Sequence, residues 1–127
     1  MMKRTAALIA AGAIALPTSA VLLAGPANAD VERHGAIGSG DYDFSVDREG
    51  SGYEISFDID RVTPGSKWKV VLRHDGKRIV NRTLTADHEG ELDVETYRSN
   101  TAGKDVFKVK AKKVNGAAKA SATITVS

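Results

Sequence analysis

The chain has 127 residues, no cysteine, and 18 lysines and arginines against 16 aspartates and glutamates. That length suits one domain with a single modest core. The missing thiols exclude disulfide staples and a lipid-modified N-terminal cysteine, so burial and turn chemistry must hold the fold.

Lys3 and Arg4 precede an apolar stretch from Ala6 to Leu16, then Pro17, a second apolar patch Val21–Ala24, and Ala27-Asn28-Ala29. Charge, apolar run and small residues in that order predict a secretory signal peptide over residues 1–29, cleaved after Ala29. An uncleaved membrane anchor is the competing reading, which Pro17 and the A-x-A site disfavour. Removing 29 of 127 residues leaves 98, and Lys3 and Arg4 leave too, so 16 cations face 16 anions at zero net charge. The pI of 8.9 therefore belongs to the precursor, and a generally basic, nucleic-acid-seeking protein is excluded. The expected product is secreted and soluble with no transmembrane anchor. It has a flexible segment over residues 30–40 and one domain over 41–127.

Within that domain apolar residues recur with period two, the spacing of half-buried strands. DYDFSVD sends Tyr42, Phe44 and Val46 inward and Asp41, Asp43 and Asp47 outward, and residues 49–52 supply a turn. YEISFDID buries Tyr53, Ile55, Phe57 and Ile59 and exposes Glu54, Asp58 and Asp60. Thr63-Pro64-Gly65-Ser66 is a turn in which proline presets φ and glycine supplies a positive φ. KWKVVLR points Trp68, Val70 and Leu72 one way and Lys67, Lys69 and Arg73 the other, and ends at the hairpin signal Asp75-Gly76. RIVNRTLT is a weaker strand carrying Arg78 and Arg82. ELDVETY buries Leu92 and Val94 behind Glu91, Asp93 and Glu95. FKVKAKK alternates Phe107, Val109 and Ala111 with Lys108, Lys110 and Lys112, and after Asn115-Gly116 the last strand buries alanines, Ile124 and Val126. Seven short strands without a helical window predict an all-β antiparallel β-sandwich or barrel.

Trp68 on the third strand, and Asn100-x-x-Gly103-x-Asp105-x-Phe107-x-Val109, resemble an immunoglobulin-like domain. Val109 stands at the second cysteine's place there, with Ile55 or Phe57 opposite. The run from Trp68 through Gly90-x-Leu92 to Gly103-x-Asp105 is similar to small exported proteins of high-GC Gram-positive bacteria. The resemblance implies an immunoglobulin-like β-sandwich and an extracellular location and carries no activity. It also implies that the first, second and fifth strands share one sheet and the third, fourth, sixth and seventh the other.

With that arrangement the outward charges separate. The first sheet receives Asp41, Asp43, Asp47, Glu54, Asp58, Asp60, Glu91, Asp93 and Glu95. The second receives Lys67, Lys69, Arg73, Arg78, Arg82, Lys108, Lys110, Lys112 and Lys119. The zero-charge domain is then dipolar, which matters for encounter and orientation. Solvated strand faces explain such rows without function. A binding face formed by Lys67, Lys69, Arg73, Lys108, Lys110 and Lys112 explains them with one, for an anionic cell-envelope polymer or a protein. Self-association of acidic face onto basic face is a third explanation. Nucleic acid is not expected, because single-strand binders interleave aromatics with cations and the outward aromatic, Tyr97, falls on the acidic sheet.

No convergent catalytic set is legible, so the chain is expected to be a non-enzyme without cofactor or metal. His34, His74 and His88 are expected at the surface of an edge and turns. Zinc needs close N, S or O ligands, and no histidine pair has that spacing. Calcium at Asp58 and Asp60 stays open, and Asn81-Arg82-Thr83 matches a glycosylation acceptor, which means little in the bacterial setting that the resemblance implies. The function expected is a binding or structural module. The alternatives are a small-molecule carrier, and an inhibitor of an extracellular enzyme acting through the loop Asp60–Ser66.

Overall fold

Alternation of apolar and charged residues becomes eight strands in the computed structural model, which describes residues 30–127. They are β1 (Val31–Ile37), β2 (Gly40–Glu49), β3 (Gly52–Asp60), β4 (Lys67–His74), β5 (Lys77–Thr85), β6 (Leu92–Ser99), β7 (Asp105–Lys113) and β8 (Lys119–Val126). The signal peptide expected over residues 1–29 lies outside the described residues. All pairings are antiparallel and form two four-stranded sheets, β1-β2-β3-β6 and β8-β7-β4-β5. No helix occurs among the described residues. The arrangement is all-β and consistent with a β-sandwich, and the seven expected strands are distributed between the sheets as expected.

The eighth strand is the departure. The stretch expected as a flexible lead-in pairs with β2 from Val31↔Val46 to Ile37↔Gly40. Its period-two signal is faint because Arg33 and Gly35 occupy the positions facing Phe44 and Tyr42. What holds it is the backbone ladder, the burial of Ile37 and the packing of half-buried Val31 against the core, a satisfactory arrangement for an edge strand.

The turns follow their chemistry. Asp75 and Gly76 join β4 to β5 with φ of +52° and +84°, the paired positive values of a two-residue type I′ hairpin. In the 63–66 turn the Ser66 N–H donates to the Thr63 carbonyl at 3.0 Å.

The inward residues of both sheets make one hydrophobic cluster. Trp68, Tyr53, Phe44, Phe57 and Phe107 are fully buried, and each such side chain contributes about 1.5–3 kcal/mol of transfer free energy. The Trp68 Nε1–H donates to Ser66 Oγ at 2.9 Å, which satisfies the one polar atom that this buried indole brings in. Phe44 and Tyr53 make edge contacts with Phe57 and Phe107 at centroid separations of 6.3 and 5.6 Å, within the favourable range for such pairs. Val109, Ile55 and Phe57 are all in this core.

Candidate functional site

A flat antiparallel sheet puts directly opposed residues on the same side, about 4.5–5.5 Å apart at Cβ. In the β8-β7-β4-β5 sheet the register therefore lines up its cations. Lys69 lies opposite Lys112, which lies opposite Lys119. Four residues further along, Arg78 lies opposite Arg73 and Arg73 opposite Lys108. Between these rows Lys110 lies opposite Val71. Lys67 stands at the start of β4, outward and opposite Thr85. The six residues expected as a binding face are thus brought onto adjoining strands of one outer face, together with Arg78 and Lys119.

Arg82 is a correction. It pairs with Val70, a core residue, and so lies on the inner side of edge strand β5. It has the parity of Val80 and Leu84, and the register shifts only beyond them, opposite the Leu72–Arg73 step, where β5 has one residue too many. Such a bulge reverses the sense of alternation beyond it, so Arg78 and Arg82 point to opposite sides despite their even spacing.

None of the eight outer-face cations has a carboxylate within ion-pair distance among the described residues. Their ammonium and guanidinium groups are left to solvent. The same face carries a shallow open trough of about 680 Å³, lined by Lys69, Lys110, Lys112 and Lys119 with Val71 and Val114 among the apolar residues. A concave surface ringed by one sign of charge focuses the field at its floor.

The opposite face is its inverse. Across β2, β3 and β6, Asp43, Asp58 and Asp93 form one row, next to Asp41 opposite Asp60. On the far side of that row Ser56 is opposite Glu95 and Asp47 opposite Glu54. His34 on β1 ends the aspartate row, its Nδ1 3.7 Å from Asp43. Arg61, in the loop after β3, pairs with Asp41. The two arginines that fall in β2, β3 and β6, Arg48 and Arg98, sit on the inner side, both opposite Tyr53. Asp58 records the crowding. Partial burial, then the negative charges of Asp93, Asp60, Asp43 and Glu95, raise its carboxyl from 3.8 to about 6. Asp60 is raised as well, by burial and by Asp43. Asp58 and Asp60 do not gather with other acids into a metal-sized cluster; the described residues bring such groups together elsewhere, at Asp87, Glu89 and Glu91 and at His74, Asp75 and Asp105.

His74 is the second correction. It was expected at the surface of a turn, but it is the last residue of β4 and only 6% exposed. Its ring stacks on Phe107 at 4.4 Å, and Nε2 lies 2.7 Å from Oδ1 of the wholly buried Asp105. Burial on its own pushes the Asp105 carboxyl up, but hydrogen bonds from Thr101 and His74 outweigh it and hold the group below its ordinary value. Alternation contained the signal: His74 has the parity of Trp68, Val70 and Leu72, and Asp105 that of Phe107 and Val109. Hairpin chemistry at Asp75-Gly76 drew the strand's end one residue short.

Comparison of the chain with family models, with curated proteins and with solved structures finds no match.

Proposed function

We propose that the chain is an exported, immunoglobulin-like module without catalytic activity, whose cationic sheet face docks on a repeating anionic polymer of the cell envelope. The observation that carries this reading is the face itself: eight cations on adjoining strands, none paired with a carboxylate. Support for the immunoglobulin type comes from β2, β3 and β6 sharing one sheet and β8, β7, β4 and β5 the other, with Trp68 buried on the central strand β4.

The kind of cation argues for the kind of ligand. Six of the eight are lysines, compact point charges that lack the planar fork with which arginine grips one carboxylate or phosphate bidentately. A lattice of such charges, about 4.8 Å apart across strands and about 6.8 Å between like-facing residues along them, suits many weakly held anions in series. A single small anion would need convergent donors instead.

The test is co-sedimentation with beads carrying polyglycerol phosphate. Wild type is expected to bind at low ionic strength and to be released as salt rises, since exposed charges are screened over about 8–10 Å. Replacing Lys69, Lys110 and Lys112 together by glutamine is expected to weaken binding about tenfold or more, a loss of about 1.4 kcal/mol or more. Replacing Asp43, Asp58 and Asp93 by asparagine should leave it unweakened. Binding that persists at high salt, or survives the lysine substitutions, refutes the reading.

The complementary signs of the two faces favour a second contact, of acidic face on basic face between copies. That contact is heterologous and makes open stacks. Size-exclusion chromatography at low salt would reveal species larger than monomer that dissolve at high salt.

A further inference from the structure

One end of the molecule gathers donors that the cationic face does not use. His74 Nε2 lies 2.7 Å from Asp105 Oδ1 and 3.5 Å from Asp75 Oδ2. Thr101 Oγ1 lies 2.6 Å from the same Asp105 oxygen and 3.3 Å from the same Asp75 oxygen. The four side-chain atoms hold only two protons among them, one on the imidazole and one on the hydroxyl, and the shorter contact of each is to Asp105, whose Oδ1 also accepts the Thr101 backbone N–H at 3.3 Å. Asp75 is held in place from its other side, where Oδ1 accepts the Val106 N–H at 2.8 Å. The second oxygen of Asp105, Oδ2, is buried and has no hydrogen-bond partner. Two carboxylates thus converge on one imidazole nitrogen, one of them wholly buried, and a single imidazolium cannot neutralise both. Buried charges in proteins are paired or coordinate metals.

We propose that His74, Asp75, Asp105 and Thr101 bind a divalent transition-metal ion of the zinc type. One imidazole nitrogen with carboxylate oxygens is a zinc-like donor set, whereas calcium prefers six to eight oxygens. Ligands about 2.0–2.1 Å from a tetrahedral ion stand about 3.3 Å apart, and the two longer separations, 3.3 and 3.5 Å, are close to that. The two shorter ones are hydrogen bonds that open when the ion enters: it displaces the imidazole proton, while the Thr101 hydroxyl keeps its own proton and coordinates through an oxygen lone pair. His74 then coordinates as the neutral ring, with its Nε2 proton released to solvent. Phe107, stacked on the imidazole, fixes the ring plane, and Tyr53 packs edge-on against Phe107 while its hydroxyl reaches Asn100, next to Thr101. The ion would tie the end of β4 and its turn to the loop before β7 and to β7 itself, in a chain that has no cysteine to make such a link.

The test uses the full domain stripped with a chelator, then titrated with zinc, calcium or magnesium while melting temperature and the His74 ring NMR signals are followed. Zinc is expected to bind one to one, raise the melting temperature by several degrees and move the His74 signals, with calcium and magnesium inert. Asp75→Asn is the informative variant. Asparagine keeps the acceptor for Val106 and tolerates the positive φ of the turn, so the variant folds, yet it should lose zinc affinity at least tenfold. Unchanged melting temperature and ring signals with zinc would overturn the site. So would zinc binding to Asp75→Asn as tight as to wild type, which would place the ion on an exposed histidine instead.

Discussion

Replacing Asp58 by asparagine should stabilise the protein at neutral pH, which is unusual for a change on a strand. Asp58 lies between Asp43 and Asp93 in direct register, and its carboxyl is raised from 3.8 to about 6. A shift of about two pKa units corresponds to about 3 kcal/mol at 1.36 kcal/mol per unit. The side chain is only partly buried, so solvent screening reduces this to about 1–2 kcal/mol. The sign follows from proton linkage. Between about pH 4 and 6 the folded state binds more protons at Asp58 than the unfolded chain, so stability falls as pH rises through that window and is level above it. The asparagine variant has no such proton to lose. Urea denaturation from pH 3.5 to 8 should therefore show the variant equal to wild type at the acid end and about 1–2 kcal/mol more stable above pH 7. For a domain of this size that is about 4–8 °C in melting temperature per kcal/mol. A variant that is neutral or less stable at pH 7.5, or a difference independent of pH, would refute the crowding argument.

Trp68→Ala should cost about 3–5 kcal/mol through the cavity it leaves, enough to lose cooperative thermal unfolding at 37 °C in a small domain without disulfides. Gly40→Ala should cost about 1–3 kcal/mol, read by chemical denaturation, because the added Cβ runs into the Asp60 carbonyl where the chain leaves β3. Lys110→Glu with Lys112→Glu should abolish binding to polyglycerol phosphate while leaving the urea midpoint unchanged or higher, because like charges directly opposed across strands repel.

Much of the fold was legible because these strands are half-buried, so every second residue reports its side. Trp68, Phe57 and Val109 fall in the core by that rule alone, and the turns at Pro64-Gly65 and Asp75-Gly76 mark where the chain reverses. The cationic face was legible for the same reason, since Lys69 and Lys112 need only parity and neighbouring strands to meet. Three features escaped. Edge strand β1 is held by its backbone ladder, to which Arg33 and Gly35 contribute no apolar pattern. The β5 bulge opposite Leu72–Arg73 turns Arg78 outward while Arg82 stays inward with Val80 and Leu84, and nothing in RIVNRTLT marks where the parity changes. His74 and Asp105 are a buried hydrogen-bonded pair, and pairing across 31 residues leaves no local trace when each residue is read alone as polar and therefore exposed.

The central claim, that opposite sheets export opposite charge and the positive one makes the contact, is tested most directly by NMR titration. A soluble glycerol-phosphate oligomer is added to the labelled domain at low salt, and backbone and lysine side-chain signals are followed. The account predicts saturable shifts confined to the outer residues of β4, β7 and β8, centred on Lys69, Lys110, Lys112 and Lys119, that vanish as salt is added. Shifts centred on β2, β3 and β6, or no shifts at any salt concentration, would contradict it.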